Sequence, residues 1–311
     1  MTRLFPSLDR PLRIALVALS GAVDEERCAI TLQRLGQLGV EVVMGDHVLQ
    51  RHRYLAGTAA QRVDDLHAAY ERDDVDAVWC LRGGYGADHL LPLIDWARIA
   101  RHPQRPLIGY SDVTVLLEAF YRHGIAALHA PVATELALVA PWPPEATDER
   151  WQSLRSLFTR CGEVCGHMPT EHYAGPHAPA TGDLRGGNLV TLAALCGTPG
   201  ALILERPTLL MLEEVGEADY RIERCFHQLL TSIDTHWLEG VCLGSFTRQG
   251  EPTESSHAIF AEWLAPLGIP LHHRLPFGHH PINHAWPYGI TATLSDKGLH
   301  WQRPDPLLTC I

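Results

Sequence analysis

The sequence predicts an α/β protein of two domains. Three observations carry this: strand-like and helix-like segments alternate through the first 124 residues, an aperiodic stretch spans residues 160–181, and the remainder mixes the two element types with more strand. A length of 311 residues suits two domains, and 46% hydrophobic residues supply the cores.

The elements follow in order. Residues 13–19 form a short apolar β run. Residues 25–38 have helical spacing and stop at Gly39. Residues 40–44 read as the next strand, and residues 59–72 as a helix with Val63, Leu66 and Ala69 on one face. Residues 77–81 and 107–110 are strands of buried type. Residues 113–124 are helical, with Val113, Leu116, Leu117 and Phe120 at positions i, i+3, i+4 and i+7. This alternation implies a parallel sheet covered on both faces, with reactive groups at the carboxyl ends of its strands. The expected division is an N-terminal domain over 1–160, a linker over 161–181 and a C-terminal domain over 182–311. In the last of these, β runs are expected at 208–214, 240–246 and near 290–294, and helices at 219–230 and 255–267. Leu189, Leu192 and Leu195 have helical spacing after a Gly-Gly-Asn turn.

A net charge of −11 argues against nucleic acid as a partner, because phosphates call for a basic face. No apolar run approaches the roughly 20 residues that span a bilayer, and the N-terminus lacks the pattern of a signal peptide. A cytoplasmic protein is therefore expected. The eight cysteines form no Cys-x-x-Cys pair. Cys80 and Cys242 sit in apolar runs as small hydrophobes, and Cys161 with Cys165 is at most a metal half-site.

Three local features carry chemistry. In Ile108-Gly109-Tyr110-Ser111-Asp112-Val113 a buried strand runs into a serine and a helix begins at once. Ser111 is then either a helix cap or a nucleophile whose site is favoured by free N–H groups and the helix dipole. In Leu81-Arg82-Gly83-Gly84-Tyr85-Gly86 three glycines free the backbone to present N–H groups to an oxyanion, with Gly84 and Asp112 as the pair of donors. The absence of a following Lys-Ser/Thr excludes a Walker loop. The third feature is the strand ending in Glu213 and Glu214, together with Phe277-Gly278-His279-His280-Pro281. A serine needs a base and the base needs a carboxylate, and each of these two pairs supplies one. Side chains alternate along a strand, so only one of Glu213 and Glu214 can reach the histidine.

Together with Gly186-Gly187-Asn188-Leu189, Gly197-Thr198-Pro199, Asn283 and Pro287-Tyr288-Gly289, these blocks stand in an ordered series. In it the chain resembles the LD-carboxypeptidase family of serine peptidases over nearly its whole length. The resemblance implies a catalytic triad of Ser111, Glu213 and His279, with the backbone amides of Gly84 and Asp112 as oxyanion hole. It implies a smaller C-terminal domain of β-barrel type, a homodimer, a triad completed across the two domains, and no metal or cofactor. The implied reaction releases terminal D-alanine from murein tetrapeptides in peptidoglycan recycling. Arg82 is a candidate for the substrate's free carboxylate, or else a structural residue paired with an acidic neighbour. Tyr173 suits a relative that cleaves aminoacyl-nucleotide amides, where an aromatic ring stacks on the nucleobase. Two readings of other classes stand beside these: a non-catalytic murein-peptide binder, and a metallohydrolase built on His280-x-x-x-His284, although Pro281 and Pro287 flank that spacing.

Overall fold

The computed structural model describes residues 10–138, 143, 147–159, 165–248 and 251–302. The chain divides into two compact units, one of Met1–Cys161 with Ala285–Pro287, the other of Gly162–His284 with Tyr288–Ile311.

The first unit is built on a six-stranded sheet. Strands β1 (Arg13–Val17), β2 (Glu41–Met44), β3 (Ala77–Cys80), β4 (Leu107–Gly109) and β5 (Ala127–His129) are parallel, in the order β5-β4-β3-β1-β2. The two-residue β13 (Trp286–Pro287) adds an antiparallel edge beside β5. Between the strands run α1 (Glu25–Gln37), α2 (Ala59–Glu71), the short α3 (Trp96–Ile99) and α4 (Thr114–Arg122). Local chemistry starts these helices. Asp24 caps α1 by accepting the Arg27 amide at 2.7 Å, and Thr58 with Gln61 forms a capping box at α2. Strands β1, β3 and β4 are buried almost throughout, as expected of parallel strands covered on both faces. Leu116, Leu117 and Phe120 of α4 are fully buried, each contributing about 1.5–3 kcal/mol over exposure. Helix α5 (Glu149–Thr159) was not expected from the sequence.

The second unit holds a nine-stranded mixed sheet. Its strands are β6 (Cys165–Met168), β7 (Glu171–Ala174), β8 (Ala180–Asn188), β9 (Thr208–Val215), β10 (Leu238–Arg248), β11 (Glu251–Pro252), β12 (Leu271–His273), β14 (Thr291–Ser295) and β15 (Gly298–Gln302). The order is β6-β15-β14-β8-β9-β10-β12-β7, with β11 hairpinned on β10. The central β8, β9, β10 and β12 are parallel and the rest antiparallel. Among the described residues no ladder joins β6 to β7. Helices α6 (Leu189–Leu195), α7 (Asp219–Ser232) and α8 (His257–Leu264) pack a core with Leu212, Phe226, Leu243 and Phe260. Much of the stretch expected as a linker is regular: β6 and β7 lie within it. Glycines, histidines and a tyrosine make these strands aperiodic in sequence, yet their backbones pair with β15 and β12. Cys161 and Cys310 lie outside the described residues. No helix among the described residues is long and apolar enough to cross a membrane.

Candidate active site

One group of candidate residues grows from two neighbouring strand ends. Because β3 pairs with β4, the segments leaving their carboxyl ends emerge side by side. Ser111 takes φ 62°, a left-handed conformation that is unfavourable for a residue with a Cβ. A cap residue has extended backbone, so this conformation marks Ser111 as the apex of a sharp strand-to-helix turn and not as a helix cap. The Gly-rich segment lies directly against it: a Cβ on Gly83 would stand 3.0 Å from Ser111 Cβ and 3.2 Å from its Oγ. Asp112 ties the two segments together. Its buried carboxylate accepts the Ala87 amide at 2.9 Å, and burial raises its pKa above the usual carboxylate value. Arg62, 1% exposed, secures the same segment through the carbonyls of Leu19 and Gly86, at 2.7 and 2.9 Å.

A second group of candidate residues stands in the other unit. Glu213 lies at the end of β9, opposite Asn188 of β8, and is fully buried. Its Oε2 accepts the His279 backbone amide at 3.1 Å and meets His279 Nδ1 at 2.6 Å. A carboxylate only accepts, so Nδ1 carries the proton and the basic ring nitrogen is Nε2. Gly278 makes this approach possible. It takes φ 85°, and a Cβ there would sit 2.5 Å from Glu213 Cβ and Cγ. Its amide donates to Oδ1 of buried Asn283 at 2.8 Å, which fixes the turn.

Residues 14–130 match the LD-carboxypeptidase N-terminal domain and residues 181–294 the LD-carboxypeptidase C-terminal domain. The chain is 46% identical over 291 residues to the murein tetrapeptide carboxypeptidase of Pseudomonas aeruginosa, covering 93% of this chain and 95% of that one. This chain belongs to the LD-carboxypeptidase family. Among solved structures, the muramoyltetrapeptide carboxypeptidase of Oxalobacter formigenes superposes with a TM-score of 0.79 at 27% identity, over 93% of this chain and 97% of that one. A MccF-like protein from Bacillus anthracis shares the fold, with a TM-score of 0.83 at 24% identity over 97% and 99% of the two chains.

Two neighbours that competed for site roles are engaged elsewhere in this LD-carboxypeptidase. Glu214 turns to the opposite face of β9 from Glu213. It accepts the amides of Val190 and Val215, each at 2.8 Å, and Asn188 Nδ2 at 3.1 Å. Burial first, then the charge of Glu213, pushes Glu214 up to about 7. His280 accepts the Ile282 amide through Nδ1 at 3.1 Å, and burial pushes its ring below the usual histidine value. Residues 280–284 are not helical, so His280 and His284 do not share a helix face as the metallohydrolase reading required.

The other candidates are placed as follows. Arg82 is exposed, and its Nη1 donates to the Ala22 carbonyl at 2.7 Å; among the described residues no carboxylate pairs with it. Tyr173 lies on β7 at 37% exposure, its ring 5.8 Å from that of His257 and 5.0 Å from that of His273. Cys80 and Cys242 are fully buried, and burial raises both thiols. The positioning roles of Asn283, Arg62 and Asn188 were not read from the sequence. Asn283 and Asn188 stood in recognisable blocks, but nothing in a one-dimensional pattern shows which backbone group a buried amide will hold.

Proposed function

We propose that this chain is a serine LD-carboxypeptidase that releases terminal D-alanine from murein tetrapeptides. The observation that carries the reading is the His279 ring held by Nδ1 on the fully buried Glu213 carboxylate at 2.6 Å. A buried carboxylate of this kind fixes the tautomer of a general base and stabilises the imidazolium that forms. The strained turn at Ser111 and the 46% identity to a murein tetrapeptide carboxypeptidase support it further.

In this mechanism His279 Nε2 takes the Ser111 hydroxyl proton as Oγ attacks the scissile amide carbonyl. The amides of Gly84 and Asp112 receive the oxyanion. His279 then passes its proton to the leaving D-alanine amine as the C–N bond breaks. Water, activated by the same imidazole, releases the acyl group and restores Ser111. Arg82 is the candidate for the terminal carboxylate, which it would meet with the guanidinium donors not spent on Ala22. A cytoplasmic location and a homodimeric state belong to the same reading, and light scattering of the purified chain measures the second.

The test incubates the protein with an L-Ala–γ-D-Glu–meso-diaminopimelate–D-Ala tetrapeptide and follows free D-alanine by mass spectrometry. Release by the wild type and its loss in Ser111→Ala are the expected results. Release that survives Ser111→Ala overturns the nucleophile assignment. No release from folded wild type overturns the murein substrate, and aminoacyl-nucleotide amides are then the next class to assay.

A further inference from the structure

Apart from the Glu213–His279 pair, the second unit gathers three ligand-type side chains from three stretches of chain. Glu254 follows β11, His257 is the first residue of α8, and His273 is the last of β12. One donor atom from each lies within 4.8 Å of the other two. His257 Nδ1 and His273 Nδ1 face each other at 3.2 Å, and His273 Nδ1 stands 3.8 Å from Glu254 Oε2. The two histidines are 2% and 6% exposed.

The spacing has a chemical meaning. On a tetrahedral cation with ligand bonds of about 2.0–2.1 Å, adjacent donor atoms lie about 3.3 Å apart. The two imidazole nitrogens already stand at that separation. Glu254 is a half-exposed side chain on a turn, and rotation about its side-chain bonds brings its carboxylate in from 3.8 Å to His273 and from within 4.8 Å to His257.

The surroundings are also built for it. Arg274 Nε holds the other Glu254 oxygen at 2.7 Å, which leaves Oε2 directed to the histidines. Arg274 Nη1 holds Glu171 Oε2 at 2.8 Å, and that same oxygen is 3.8 Å from His273 Nε2. At 3.8 Å this carboxylate makes no hydrogen bond to the ring, but its charge behind the second nitrogen favours a ligating imidazole. Arg274 adopts φ 60° in making both contacts, an unfavourable backbone for a residue with a Cβ. The rings of Tyr173 and Phe246 stand edge-on to His257, at 5.8 and 5.9 Å, and wall the cluster with aromatic surface.

We propose that Glu254, His257 and His273 bind one divalent cation of the zinc class, with water completing the tetrahedron. Two imidazole nitrogens among three ligands select against magnesium and calcium, which prefer an all-oxygen shell. The cation ties the start of α8 to the end of β12, where the segment leading to His279 departs. Its role is structural and enters no bond-breaking step.

Zinc chloride titrated into the metal-stripped full-length protein, followed by calorimetry, tests this. One saturable equivalent is expected, weakened by about tenfold or more in Glu254→Gln and in His257→Gln. Cobalt(II) in place of zinc should give the intense visible absorption of a four-coordinate site in the wild type and not in the variants. Glu254→Gln changes only a half-exposed side chain, so it decides the matter if His257→Gln fails to fold. The absence of a saturable equivalent overturns the proposal. So does an equivalent that survives Glu254→Gln undiminished, because the ion then belongs to other histidines of the chain.

Discussion

One methyl group at position 278 would separate His279 from its carboxylate. In Gly278→Ala the new Cβ meets Glu213 at 2.5 Å on a backbone at φ 85°, so the turn must shift and carry His279 with it. A displacement near 1 Å costs on the order of 100-fold in turnover. The expected result is a fall in kcat of that size in the D-alanine assay, while circular dichroism remains that of the wild type. Glu213→Gln probes the same contact without steric change. It keeps the volume but no longer fixes the Nδ1–H tautomer, and a kcat loss of about 10³–10⁴-fold is expected. If kcat is unchanged in Glu213→Gln, the carboxylate has no part in the chemistry. At this scale the sequence was informative where a residue type is demanded by chemistry. Strand alternation correctly separated Glu213 from Glu214, and the strand-serine-helix pattern located the turn at Ser111. It was silent on Asn283 and Arg62, because their role is to hold backbone groups distant along the chain or hidden within a turn.

Strand β9 shows how one element serves two purposes. Its last residues send one carboxylate to His279 and the next to the other face, where Glu214 secures the start of α6 through Val190 and Asn188. Asn188 also caps α6, accepting the Thr191 amide at 3.0 Å. Asn188→Ala removes both contacts and is expected to lower stability by about 1–2 kcal/mol in urea unfolding. Glu214 brings a pH signature. Its folded pKa of about 7 lies above the ordinary 4.5, so between these values the native state binds the proton more tightly than the unfolded one. Its contribution therefore weakens stability as pH rises through that window. Elements with long apolar or periodic runs, such as β1, β3, β9, α1 and α7, were legible within a residue or two. Strands β6, β7, β12 and β15 were not. They are short and carry histidines and glycine, and they exist because distant partners offer them backbone groups.

Across the whole chain two buried histidines contribute to the acid response, and they act against Glu214. The nineteen histidines stand on a net charge of −11, but they do not all accept protons alike. Burial, first among the causes, lowers His257 and His272 to about 4 from an ordinary 6.5, and each is also beside another imidazole. Between those values the unfolded chain takes up protons that the folded second unit refuses. The stability that rests on keeping these rings neutral is present above pH 6.5 and is lost as pH falls towards 4. The sign is opposite to that of Glu214, so in the wild type the two contributions offset one another. Substitution separates the two. In metal-free buffer, the fall in Tm from pH 6.5 to pH 4.5 should be shallower in His272→Leu and steeper in Glu214→Gln, measured by differential scanning calorimetry. A shallower fall in both variants would mean that Glu214 is ionised in the folded chain throughout the window. The three amides and amide groups around its carboxylate would then outweigh its burial.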